Sequence, residues 1–181
     1  MTSYMTRRYP IVRHRDLWPS LPWSALRRRP LAAEADEILV YRTGRDTYTA
    51  GTADTSLAAR ATAVSVVDLS RDVGLVVGWT LAARDSALDF PVTVTYRCTV
   101  LDPVAVVRAR NTDAVRNTRR FLAQDRTPFE LDGAFAPGDE RGLRGALTML
   151  LTARPARRTV PGVRVLADVD VGPADLHAME A

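Results

Sequence analysis

Two runs of alternating residues separated by a short polar segment constrain this chain more than any other feature. Val73, Leu75, Val77, Trp79 and Leu81 recur with a period of two. So do Val92, Val94, Tyr96, Cys98 and Val100, with Thr93, Thr95, Arg97 and Thr99 on the opposite face. That period belongs to a strand buried on one side, because successive side chains point to opposite faces of a sheet. The intervening Arg84-Asp85-Ser86-Ala87-Leu88-Asp89 is polar, so the two runs are expected to pair as a hairpin. Cys98 falls on the apolar side and reads as a buried structural thiol, not a nucleophile.

Other segments extend the pattern. Ile38-Leu39-Val40-Tyr41, with a turn at Gly44, and Val64, Val66 and Val67 are strand-like. At Leu101-Asp102-Pro103 the period changes: Asp102 suits an N-cap and Pro103 the first helical position. A helical stripe follows through Val104, Val107, Ala114 or Val115, Thr118, Phe121 and Leu122, with an interruption expected at Asn111-Thr112-Asp113. Asp139 can cap a further helix bearing Leu143, Ala146, Leu147, Leu150 and Leu151. Pro161-Gly162 signals a turn. Val163, Val165, Ala167, Val169 and Val171 then alternate with Arg164, Leu166, Asp168 and Asp170 as a strand with one wet face. Pro173-Ala174-Asp175-Leu176 reads as the start of a last helix. The order gives an α+β fold, a mostly antiparallel sheet with two or three packed helices, in a single domain over residues 31–181.

Charge sets residues 1–30 apart. All 25 basic residues of the 181-residue chain are Arg, which excludes Schiff-base chemistry and a P-loop lysine. Seven Arg against one acid give residues 1–30 a net of +6, whereas residues 31–181 carry a net of −2. Pro10, Pro19, Pro22 and Pro30 make this front end read as irregular, a basic arm with Tyr4, Tyr9, Trp18 and Trp23 among its arginines. Aromatics beside Arg suit an anionic lipid surface; the competing reading is an arm whose two Trp pack on the protein itself.

Signals for catalysis are lacking. There is no GxGxxG and no GxSxG elbow, His14 and His177 lie at opposite ends, and one cysteine closes no intrachain disulfide. Asp168, Asp170 and Asp175 read either as a hard-cation cluster or as a solvated face, and the second reading is preferred. No catalytic residue, metal or cofactor is therefore expected. No run reaches the roughly 18 apolar residues of a membrane span, and the N-terminus lacks a secretory-type apolar stretch, so a cytoplasmic location is expected.

Phe90-Pro91-Val92-Thr93-Val94-Thr95-Tyr96-Arg97-Cys98-Thr99-Val100-Leu101-Asp102-Pro103 resembles the alternating strand and Asp-Pro step of the SPFH (stomatin, prohibitin, flotillin; band seven) domain. Val160-Pro161-Gly162-Val163-Arg164-Val165 with Asp168-Val169-Asp170 is similar to that family's Pro-Gly turn into its last strand, and Pro173-Ala174-Asp175-Leu176 to the entry of its long helix. The resemblance covers residues 38–176. It implies a non-enzymatic scaffold that assembles with copies of itself and associates with a membrane, as in bacterial stomatin-like and prohibitin-like proteins. Family members usually carry a membrane anchor and a long coiled coil, neither of which is recognisable here. The arm is expected to stand in for the anchor, peripherally on the inner face of the cell membrane, through Arg7, Arg8, Arg13, Arg15, Trp18, Trp23, Arg27, Arg28 and Arg29. Assembly is expected to use opposite charges on Arg108, Arg116, Arg119 and Arg120 and on Asp168 and Asp170, or a protein partner replacing the coiled coil. The alternative is a module that binds the phosphate backbone of nucleic acid, or a structural subunit of a larger complex; nucleic acid is the less favoured partner.

Overall fold

The computed structural model describes residues 9–17, 31–110, 117–153 and 160–176. The fold is α+β, with two sheets and short helices. Contacts divide the described residues into two compact units. The first draws on residues 1–71, 99–118 and 160–164, and the second on residues 72–98, 119–159 and 165–181.

The first unit is built on four antiparallel strands, β1 (Ile11–Asp16), β2 (Glu37–Arg42), β3 (Tyr48–Gly51) and β4 (Ala63–Asp68), in the order β1-β4-β2-β3. All six residues of β4 are buried, as befits an inner strand covered on both faces. On one face Leu39, Tyr41, Val64 and Val66 form a cluster with Leu17, Leu31 and Leu57, the last from helix α1 (Thr55–Arg60). Helix α2 (Pro103–Arg108) lies against β2, β3 and β4 and buries Val106 and Val107. Its start is as expected: Asp102 Oδ1 accepts from Val104 N at 2.9 Å and Ala105 N at 3.0 Å, with Pro103 in the first turn.

Gly162 fixes where that helix begins. Leu101 N and Asp102 N donate to Gly162 O at 2.8 and 3.0 Å. Gly162 has φ +79°, and a Cβ there would collide with the Asp102 carbonyl oxygen. Only glycine fits both the backbone conformation and the close approach.

In the second unit the expected hairpin forms. Strands β5 (Val73–Ala82) and β6 (Asp89–Val100) pair antiparallel from Val73↔Cys98 to Ala82↔Asp89. Strand β7 (Val163–Val171) lies on the other side of β6, giving the order β5-β6-β7. The inner face buries Val77, Leu81, Phe90, Val92, Val94, Tyr96 and Cys98. Trp79 meets Tyr96 edge to face, and its Nε1 donates to Ala123 O at the end of helix α3 (Thr118–Ala123). A 3-10 turn (Thr127–Leu131) packs against helix α4 (Glu140–Ala153), which buries Leu143, Leu147 and Leu151 at i, i+4 and i+8. Asp139 Oδ1 accepts from Gly142 N at 3.1 Å, the expected cap.

Two readings of local structure change. The front end is not irregular throughout: Ile11–Asp16 is β1, paired along β4, because a neighbouring strand satisfies its backbone whatever its own arginines prefer. Residues 172–176 start no helix. Asp175 and Asp89 exchange backbone bonds at 2.9 and 3.1 Å, and Gly172 N donates to Pro91 O, so the chain stays extended alongside β6. The expected cap at Asn111-Thr112-Asp113, and His177, lie outside the described residues.

Candidate functional site

The first unit brings together a serine, a histidine and an aspartate that are distant in sequence. His14 and Ser65 are cross-strand partners of β1 and β4, with His14 Nδ1 2.7 Å from Ser65 Oγ. His14 Nε2 lies 3.2 Å from Asp16 Oδ1 and 2.8 Å from Arg110 Nη1. In the tautomer whose Nε2 accepts from Arg110, Nδ1 carries the proton and donates to Ser65; in the tautomer whose Nε2 donates to Asp16, Nδ1 accepts from Ser65. The first polarity is opposite to nucleophile activation, where the imidazole must accept the serine proton. Ser65 is also only 1% exposed. The group is a polar lock joining β1, β4 and the exit of α2.

This lock titrates. Burial lowers the His14 pKa from its ordinary 6.5, and Arg110 adds to that; Asp16 pulls the other way and Arg42 again lowers it. Since the neutral imidazole is the folded form, its contribution is complete above the unfolded value. It is lost as pH falls from about 6.5 through the lowered folded value. Urea midpoints measured between about pH 7.5 and 5.5 are therefore expected to fall further for the wild type than for His14→Gln. Equal slopes would refute the lock.

The second unit offers a different kind of site, the outer face and free edge of β5-β6-β7. That outer face consists of Gly74, Val76, Gly78, Pro91, Thr93, Thr95 and Arg97 with Arg164, Leu166, Asp168 and Asp170, mostly small or polar. Leu166 is 52% exposed among charges. The β5 margin is partly closed, for Arg119 Nε donates to Val76 O at 3.2 Å.

The residues expected to drive assembly are found in intrachain contacts. Arg108 stacks over the Tyr48 ring and lies 3.4 Å from Asp46. Arg119 holds Val76 O and Arg120 is also engaged, while Arg116 lies outside the described residues. Asp168 faces Arg97 at 3.5 Å, and Asp170 faces Arg144 at 2.7 Å, all largely exposed. Such pairs contribute little, about 0–1 kcal/mol each. Of the arm, Arg13 binds Glu37 and Ala32 O, and Arg15 in β1 is likewise engaged. Arg7, Arg8, Trp18, Trp23, Arg27, Arg28 and Arg29 lie outside the described residues. Cys98 is buried, which pushes its thiol pKa up to about 12.

Among the described residues no three His, Cys, Asp or Glu side chains converge as a metal site, and no helix is long and apolar enough to cross a membrane. No family model, curated protein or solved structure matches the chain.

Sequence reasoning passed over Ser65 and Leu166. Ser65 carries no signal, since its partner His14 is 51 residues away. Leu166 did carry one: it is an apolar residue at a wet position of the alternation, flanked two residues away by Arg164 and Asp168.

Proposed function

We propose that this chain is a non-enzymatic, SPFH-like assembly domain that associates with copies of itself and rests on an anionic membrane surface through its basic aromatic arm. The observation that carries the reading is the β5-β6-β7 sheet, whose β7 side is the end of the strand order and whose outer face exposes Leu166. Soluble proteins normally cover or blunt a strand edge, because its backbone groups recruit another strand. The burial of Ser65, only 1% exposed, supports binding over catalysis at the His14 network.

Native mass measurement at high micromolar concentration tests assembly: a species heavier than the 19.9 kDa monomer is expected, and a monomer alone would overturn it. Because β1 belongs to the four-stranded sheet, the arm is best tested by neutralising Arg7, Arg8, Arg27, Arg28 and Arg29 to Ser, not by removing it. Each Arg beside an anionic leaflet contributes about 1 kcal/mol, so the five changes should weaken sedimentation with phosphatidylserine vesicles at low salt by at least about 100-fold. An intact protein that ignores the vesicles but retards RNA would favour the nucleic-acid alternative.

A further inference from the structure

Among the described residues strand β7 is paired on one side only, and the hydrogen bonds at its ends say which residues face which. Gly172 N donates to Pro91 O, and Gly162 O accepts from Leu101 N, so both of these residues point toward β6. Backbone groups alternate sides along a strand, which turns 164, 166, 168 and 170 toward β6 and 163, 165, 167, 169 and 171 toward the open side. The open side is closed at its ends, where Val163 N donates to Val160 O and Arg144 Nη2 donates to Val171 O at 3.4 Å. Among the described residues nothing bonds the outward N–H and C=O groups of Val165, Ala167 and Val169. This stretch carries no Pro, and its charges, Arg164 and Asp168, are of opposite sign.

Its side chains are complementary to themselves. Reading outward from Leu166 in both directions gives Val165 and Ala167, then Arg164 and Asp168, then Val163 and Val169. Apolar residues recur at equal distances, and the one charged pair is of opposite sign. Arg164 has no ion-pair partner among the described residues, and Asp168 has only the exposed 3.5 Å contact with Arg97.

We propose that two copies of this chain join their β7 edges antiparallel about a two-fold axis through Leu166, making one six-stranded sheet. The inference rests on the assembly reading above and supplies its partner and register. Val165 and Ala167 of each copy then exchange backbone bonds with Ala167 and Val165 of the other. Leu166 meets its own copy at a non-hydrogen-bonded position, where facing side chains come closest. Arg164 lies opposite Asp168 of the second copy on both sides of the axis. Moving the pairing by two residues would set Leu166 against Asp168, so the register is specified by the side chains. Each copy uses its β7 edge in the contact, and the two-fold closes at a dimer. A single strand edge is small beside the roughly 1,200–2,000 Å² of standard specific interfaces, so the dimer is reversible and concentration-dependent.

Sedimentation of the full chain, with single variants Arg164→Asp, Asp168→Arg and Leu166→Lys, tests this. All three positions are exposed, and circular dichroism checks that each variant is folded. The wild type is expected to dimerise at high micromolar concentration, and each variant to dimerise at least about tenfold more weakly. Arg164→Asp mixed with Asp168→Arg should regain dimer, because only the mixed pair opposes unlike charges at both contacts. Hydrogen exchange on the wild type gives a readout free of any variant: the amides of Val165 and Ala167 should slow as concentration rises. Variants that dimerise like the wild type, or edge amides indifferent to a dimer that does form, would overturn the β7 interface and leave assembly standing. A wild type monomeric throughout would overturn both.

Discussion

Replacing Gly162 with alanine is expected to destabilise the first unit by about 3 kcal/mol, a large loss for a turn substitution. Two penalties combine. A left-handed backbone, φ +79° here, costs an L-residue roughly 1–2 kcal/mol. The new Cβ also meets the Asp102 carbonyl oxygen, and backbone on both sides leaves no flexible side-chain end to yield. Relief requires parting Gly162 from Leu101 and Asp102, which loosens the capped start of α2 and with it the buried Val106 and Val107. Gly133 is the control: its φ is +67°, yet nothing lies within 4 Å of the position a Cβ would take. Gly133→Ala should therefore cost only the conformational part, about 1–2 kcal/mol. Urea unfolding of both variants separates the terms, and a Gly162→Ala midpoint no lower than that of Gly133→Ala would show that the close approach is unimportant.

Gly162 also shows what the sequence makes legible. Pro161-Gly162 and Asp102-Pro103 are each readable as punctuation, since turn and cap chemistry are local properties. That the two motifs bond to one another, across some sixty residues, is tertiary information that no local pattern contains. The β5-β6 hairpin was legible because each strand buries one face, which writes a period of two into Val73 to Leu81 and Val92 to Val100. Strand β3 was not: Tyr48, Thr49, Ala50 and Gly51 are all half-buried and carry no alternation. Strand β1 was hidden by its own arginines, whose placement is decided by Glu37 and the register with β4. Only the alternation of β7 was visible. Its standing as an edge depends on strand order, and strand order is fixed by pairings between distant segments. The charged residues singled out for assembly share a sign on each segment, but most are engaged within the chain, whereas Arg164 has no ion-pair partner among the described residues.

Phe90→Ala is expected to cost about 3–5 kcal/mol, the range for emptying a buried aromatic position. Phe90 is 0% exposed and stands directly across from Leu81, also fully buried, in the pairing of β5 with β6. Its neighbours cannot easily collapse into the space. The backbone on either side is held by the ladder, with Asp89 further bonded to Asp175 and Pro91 O to Gly172 N. Against a total stability of about 5–15 kcal/mol, a loss of that size removes about a fifth of the margin or more. For a chain of this length it lowers the thermal midpoint by roughly 10 °C. Thr93→Ala supplies the comparison, since Thr93 lies on the exposed face of the same strand and should change stability by no more than about 0.5 kcal/mol. The contrast also bears on assembly. A Phe90 variant that loses dimer should do so only in proportion to the unfolded fraction, because Phe90 is on the buried face and away from the bare edge of β7. Thermal melts with parallel mass measurement read both effects. A midpoint within 2–3 °C of the wild type would mean that the inner face of β6 is far looser than its complete burial implies.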